Sequence, residues 1–242
     1  MTFVLIFTFL LSSSKVISKL YEYNKSNNIY KELQIQKNNN KFIDNNTIKN
    51  SDNNSTNKSS NTVIDMSNIN DDYVCWIEVP GTNIDYPVLQ SNDNSYYLNK
   101  DIYKNYLASG SIFLDYRNND FLDKNTVIYG HYMRNNTMFG QLKNFKKKSF
   151  FYENNIIKIS KRNGEILEYK VFSAYTTSSK DNYIQTHFNS CEEYKEFINK
   201  IVNKSIFKSN ENISIDDNIL TLSTCSYEFK NARMVVHAKL ID

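Results

Sequence analysis

Apolar and polar positions change their rhythm along this chain. A dense apolar run, Phe3 to Leu11, is broken by Ser12 to Ser14 and gives way to mixed residues up to Leu20. Residues 16–35 fit a helix, with Val16, Leu20, Tyr23 and Leu33 among its apolar positions. The next stretch, KNNNKFIDNNTIKNSDNNSTNKSSNT (37–62), is dominated by asparagine. It buries too little apolar area to offset its ordering entropy, which predicts a flexible linker. From about Val63 the apolar residues come in short runs. YVCWIEVPGTNIDYPVLQ predicts two strands around the turn Pro80-Gly81-Thr82. Further strands are predicted over 110–115, 125–131, 155–160, 165–177, 218–225 and 233–241. One helix is well signalled: Ser190 and Glu193 form a capping box, and Tyr194, Phe197, Ile198, Ile201 and Val202 share a face. Many short strands with one such helix predict a mainly β fold, a closed or nearly closed barrel rather than a βαβ sheet.

The organisation expected is therefore 1–20 as an N-terminal membrane anchor, 21–62 as helix and Asn-rich linker, and 63–242 as the β-barrel domain. The apolar run falls short of the roughly 20 residues of a full span. It lacks the preceding positive charge and the small-residue cleavage site of a signal peptide. Its terminal position, followed by polar sequence, makes a membrane anchor with a truncated start the expectation. Composition narrows the function. The net charge of +3 is spread along the chain, so no nucleic-acid partner is expected, and Lys146-Lys147-Lys148 reads as a solvated turn. Aromatics make up 14% while Gly (5) and Pro (2) are scarce, which suits a β-rich body with a tyrosine-lined groove and excludes a collagenous chain. Three cysteines without close pairing give neither a disulfide framework nor zinc spacing. No acidic loop is concentrated enough for calcium, so no metal and no cofactor are expected.

Chemistry concentrates near the C-terminus, in TLSTCSYEFKNARMVVHAKL (221–240). Cys75 lies between apolar neighbours and reads as core; Cys191 lies just inside the predicted helix. Cys225 ends an apolar run. Alternation puts Ile219, Thr221, Ser223 and Cys225 on one strand face, and Arg233, Val235, His237 and Lys239 on one face of the next. A hairpin register opposing Cys225 to Arg233 leaves residues 226–232 as the connection and brings a thiol and a guanidinium to one site. A thiolate attacks a carbonyl carbon; a permanently charged arginine cannot be a base, but it can hold the developing oxyanion. The proton carrier must be one of three histidines. His131 ends a strand before a polar loop, with Gly130 allowing close backbone approach. His187 reads as a surface residue and mid-strand His237 as a hydrogen-bonded structural one.

These residues resemble a known family. TLSTC followed eight residues later by Arg233, with VIYGH upstream, resembles the sortases, membrane-tethered cysteine transpeptidases of Gram-positive bacteria. DYPVLQSNDNSYYLNKD, GSIFLDYRN, NTMFGQL and FSAYTTSSKDNYIQTHF, with the helix-bearing insertion between Ala174 and Ile219, are similar to class B sortases over residues 70–242. The resemblance implies an eight-stranded sortase barrel with N-terminal helices and one helix in the insertion before the nucleophile strand. It implies Cys225 as nucleophile, His131 as general acid/base and Arg233 as oxyanion or substrate arginine. Asn94, Leu98, Tyr183, Ile184 and Ser223 fall on substrate-groove positions, with core packing the competing reading for Leu98 and Ile184. The implied reaction cleaves an NPxTx-like sorting signal of a secreted protein. The Thr carbonyl passes through a thioester to an amine of a cell-wall precursor or a pilin-like subunit. The implied location is the cell membrane, held by a single N-terminal anchor, with the catalytic domain extracellular. A cysteine endopeptidase using water, and a non-catalytic membrane-anchored binding module, are the competing readings.

Overall fold

Short apolar runs become strands here because each has neighbours on both sides to satisfy its backbone groups. In the computed structural model, which describes residues 2–47 and 64–241, β1 spans Tyr73–Val79, β2 Ile84–Leu89, β3 Ile112–Leu114 and β4 Asn125–Tyr129. β5 spans Ile156–Lys161, β6 Ile166–Ser178, β7 Ile219–Cys225 and β8 Ala232–Leu240. They form a closed barrel in the order β1-β2-β3-β4-β7-β8-β6-β5, and β5 pairs back onto β1. Closure removes every sheet edge. The neighbours are antiparallel except β2 with β3 and β4 with β7, which run parallel. The β1–β2 turn closes with Thr82 N–H donating to Val79 O (3.1 Å), and Gly81 takes φ +77, a conformation glycine adopts without strain.

Two apolar clusters explain the strand sequences. Inside the barrel, Val88, Ile112, Leu114, Ile159, Leu220, Leu222 and Val236 pack together. Outside it, α3 (Cys191–Asn203) covers β6, β7 and β8 with Tyr194, Phe197, Ile198 and Ile201 against Phe172, Tyr175, Ile219 and Val235. β7 is therefore buried on both faces until its last residue, Cys225, which is half-buried. Ser190 caps α3 by accepting from Glu193 N–H (3.1 Å), but Glu193 returns its carboxylate to Asn189 N–H (2.6 Å). Val202, expected on the buried face, is 42% exposed.

Three helical segments were not read from the sequence, the shortest a single 3-10 turn at Tyr96–Leu98. A 3-10 helix, Phe139–Lys146, buries Phe139, Leu142 and Phe145 at a three-residue spacing. The short α2 (Lys148–Glu153) follows it and buries Phe151. The Lys146–Lys148 run joins them, and Lys146 is not a solvated turn residue: it pairs with Glu228 in the β7–β8 connection.

At the other end, α1 spans Thr2–Thr47. Ser26, Tyr30, Leu33 and Lys37 recur at helical spacing and are buried. Tyr30 Oη donates to Gly110 O (2.7 Å), and the Ser26 and Ser109 hydroxyls pair at 2.7 Å. Lys37 Nζ lies between Glu78 (2.7 Å) and Asp85 (2.5 Å) and 5.0 Å from the Trp76 ring centre. Residues 37–47 of the Asn-rich stretch continue this helix, while 48–63 lie outside the described residues. The expected membrane anchor is not found: among the described residues no helix is long and apolar enough to cross a membrane. The physical reason is the early polar interruption, since Ser12–Ser14, Lys15 and Lys19 follow the apolar run well before about 20 residues accumulate.

His237 sits on the outer face of β8 and is fully buried. Thr221 Oγ1 donates to Asn125 Oδ1 (2.6 Å) and so accepts from His237 Nδ1–H (2.8 Å); Nε2 then accepts from Tyr175 Oη–H (2.9 Å). Burial pushes the imidazole down from 6.5 to about 3, so it is neutral at physiological pH, as its structural reading requires.

Two outcomes follow from this packing. Lys37→Ala removes the cation between two partly exposed carboxylates and should lower stability by about 1–3 kcal/mol in denaturant unfolding; an unchanged midpoint would show that α1 is not held there. His237 takes up a proton near pH 6.5 only when unfolded, so its contribution is present above that pH and is lost as pH falls toward about 3. Unfolding free energy should drop across that window with a slope of up to about 1.4 kcal/mol per pH unit, and His237→Gln should flatten the slope. An equal slope in both proteins would contradict the assignment.

Candidate active site

Two strand registers assemble this site. β4 and β7 run parallel with Tyr129 opposite Ser223, so two residues further along each chain His131 and Cys225 emerge side by side. β7 and β8 run antiparallel with Cys225 opposite Arg233, the register that the sequence spacing permits. Ser226 N–H donates to Ala232 O (2.9 Å), which makes Cys225–Arg233 the neighbouring non-hydrogen-bonded pair, with Cα atoms about 4.5 Å apart. Cys225 thus stands between a histidine on one flank and an arginine on the other.

Local contacts hold each group. Gly130 N–H donates to Ser223 O (3.2 Å), and Phe139 N–H donates to His131 O (3.0 Å). A Cβ on Gly130 would overlap Ile112 Cδ1 and the Phe139 ring, so only glycine lets the chain pass this close. His131 Nε2 lies 2.6 Å from Leu98 O; a carbonyl only accepts, so Nε2 carries a proton and Nδ1 is the nitrogen left for exchange. Arg233 spends one donor on Ala232 O (Nη1, 3.1 Å) and has others to offer the cleft. Its loop enters through Asn231 at φ +61, a left-handed conformation that asparagine tolerates. Glu228 accepts from Thr176 Oγ1 (3.1 Å) and Ser226 Oγ (3.2 Å) and pairs with Lys146, while Tyr227 packs edge-on against Tyr132. The connection after Cys225 is pinned at several points.

A cleft of about 300 Å³ opens over these three residues, and all five groove candidates line it: Asn94, Leu98, Tyr183, Ile184 and Ser223. Leu98 is 41% exposed, so core packing is not its role. Ile184 is half-buried against the outer cluster. Ser223 and Tyr183 are buried and joined hydroxyl to hydroxyl at 2.9 Å, and burial raises the Tyr183 phenol above its ordinary range. Asn94 is committed to the protein on both sides of its amide, donating to Asp115 Oδ2 (3.0 Å) and accepting from Tyr116 N–H (3.0 Å). Sequence reasoning missed Phe113, Tyr129, Ser179 and Thr224, which also line the cleft. The turn at Asp115 behind them was missed too; its only sequence signal was the polar DYRN stretch that ends an apolar strand.

The other cysteines and histidine lie elsewhere. Cys75 is fully buried, and burial pushes its thiol well up. Cys191 is exposed at the first position of α3. His187 is exposed on the β6–α3 connection. Among the described residues no group of His, Cys, Asp and Glu could hold a metal ion.

Comparison with known proteins agrees with this geometry. The family described as "Sortase domain" matches residues 77–241. Sortase B of Staphylococcus aureus is 42% identical over 179 residues, 73% of this chain and 73% of that protein. The structure of a Staphylococcus aureus sortase B–substrate complex superposes with TM-score 0.69 at 41% identity, covering 73% of this chain and 82% of the other. Sortase B from Bacillus anthracis in complex with AAEK1 gives TM-score 0.76 at 33% identity, covering 92% and 99%. A closed barrel that brings one half-buried thiol to a cleft between histidine and arginine, with this degree of likeness, places the chain in the sortase family, as a class B sortase and a cysteine transpeptidase.

Proposed function

We propose that the cleft receives an NPxTx-like sorting signal of a secreted protein and transfers its Thr carbonyl to an amine. The observation that carries this reading is the pair of registers around Cys225, which supplies nucleophile, proton carrier and oxyanion donor in one cleft. The likeness to a sortase B seen with its substrate supports a peptide donor.

The residues divide the work as follows. The Cys225 thiolate attacks the Thr carbonyl carbon, forming the C–S bond, and the charge moves to the carbonyl oxygen. Arg233 holds that oxygen through N–H donors not used on Ala232. As the tetrahedral adduct collapses, the scissile C–N bond breaks and His131 gives its proton to the departing amine. A thioester remains on Cys225. An acceptor amine, from a cell-wall precursor or a pilin-like subunit, attacks it and loses a proton to His131; the C–S bond breaks and the thiolate is restored. Leu98 and Ile184 offer apolar contact to the peptide, while Tyr183 and Ser223 form a wall already bonded to itself. The same chemistry with water as acceptor is hydrolysis. Incubating peptide with and without an amine separates the two: transfer product dominating when the amine is present supports transpeptidation, and unchanged hydrolysis in its presence overturns it.

Two substitutions check the assignments. Cys225→Ala should drop cleavage and transfer below roughly a thousandth of the parent, with an unchanged melting temperature, since the strand tip is only half-buried. Appreciable turnover would mean the wrong thiol is named. Arg233→Lys keeps the charge but loses the planar fork, and should cost roughly 100-fold in kcat. Alkylation of Cys225 by iodoacetamide, which forms no oxyanion, should slow far less. Parental kcat in this variant, or equal loss of both reactions, would remove Arg233 from the oxyanion role.

A further inference from the structure

Behind the cleft lies a carboxylate that the reaction does not use. Asp115, at the end of β3, is fully buried. Five donors converge on it: Asn94 Nδ2 (3.0 Å), Tyr129 Oη (2.8 Å), and Arg117 through its backbone N (3.0 Å), Nε (2.8 Å) and Nη2 (2.7 Å). A buried charge is costly unless it is paired and hydrogen-bonded, and this one is held by a forked guanidinium and three neutral donors. Desolvation pushes its carboxyl up, but the Arg117 bonds outweigh that and hold it below the ordinary carboxylate value. It is ionised throughout the neutral range.

The partners of this carboxylate belong to separate walls of the cleft. Arg117 Nη2 reaches on to Ile184 O (2.9 Å), on the β6–α3 connection. Asn94 begins the turn whose 3-10 segment, Tyr96–Leu98, ends at the carbonyl that accepts from His131. Tyr129 is the last residue of β4, two before His131. Neither the turn nor the β6–α3 connection is part of the barrel sheet, so strand pairing does not fix their separation.

We propose that Asp115 is the positioning residue of the peptide groove, with Arg117 as its arm: it sets the spacing between the Ile184 wall and the Leu98 wall. This rests on the reading of that side of the cleft as the donor-peptide groove. The two arms have different consequences. The Arg117 arm touches only the far wall, so its loss acts on peptide binding. The Asn94 arm also carries the carbonyl that orients His131, so losing both reaches the chemical step.

The test measures KM and kcat for a sorting-signal peptide, the rate of Cys225 alkylation by iodoacetamide, and thermal stability, in Arg117→Lys, Asp115→Asn and Leu98→Ala. Arg117→Lys retains the charge beside Asp115 but cannot bridge to Ile184 O. It should raise KM roughly tenfold, the effect of one charge-assisted hydrogen bond lost, with kcat and alkylation within about twofold of the parent. Asp115→Asn should raise KM and also lower kcat. Leu98→Ala separates the two readings, because it alters the groove wall directly. If it raises KM while Arg117→Lys and Asp115→Asn remain parental, the groove stands and the positioning role is overturned. If none of the three changes KM, the groove reading itself fails. A kcat loss in Arg117→Lys without a KM change, matched by slower alkylation, would place the network under the thiol instead and overturn the proposal. Should Asp115→Asn fail to fold, Arg117→Lys decides alone.

Discussion

Parallel pairing of β4 with β7 is the constraint on which this site depends. The antiparallel β7–β8 hairpin is local in sequence and sets Cys225 opposite Arg233, but no local rule delivers a histidine to that pair. His131 arrives because β4 lies on the other side of β7 in a register that ends both strands together. A slip of one residue would turn every side chain of a strand to the opposite face. Burial of β7 on both faces, by the barrel interior and by α3, makes such a slip costly. Packing far from the thiol therefore secures the geometry at it.

The same chain shows how environment sorts identical residues into different roles. Cys75 and Cys225 are both strand cysteines, yet the first is sealed in the core with its thiol driven toward the neutral form, and the second sits at a cleft. His237 and His131 are likewise both attached to the central strands. His237 is enclosed by Thr221 and Tyr175 and stays neutral because a charge there cannot be solvated. His131 is half-buried, tethered through one nitrogen to a main-chain carbonyl, and leaves the other at the cleft. Burial separates the sealed member of each pair from the one that lines the cleft.

Much of this was legible in the sequence, for physical reasons that differ by element. The strands announced themselves because each apolar run is short and bounded by polar residues. α3 did so because its cap and its apolar face coincide. The hairpin register was only one that the Cys225–Arg233 spacing permits; the pairing of β7 with β8 is what sets it. The 3-10 helix at Phe139–Lys146 was not, because a three-residue repeat of Phe139, Leu142 and Phe145 matches neither helical nor strand periodicity. The early apolar run suggested a membrane anchor, yet its mean hydropathy is diluted by serine and lysine before a span is complete, and no described helix crosses that threshold. Clefts gather residues from separate elements, so Phe113 and Ser179 had no local signature, and the Asp115 network had only the polar DYRN stretch that ends β3. Their roles exist only once β3, β4 and the β6–α3 connection meet.

The proposed transfer requires Cys225 to form a covalent intermediate in this cleft. Mass spectrometry of the enzyme incubated with sorting-signal peptides and no added amine tests it most directly. The expected result is an adduct whose mass equals the peptide through its Thr, lost on treatment with hydroxylamine and mapped to the fragment containing Cys225. An adduct mapped to Cys75 or Cys191, or peptide cleavage proceeding with no thioester detectable under rapid quench, would contradict it.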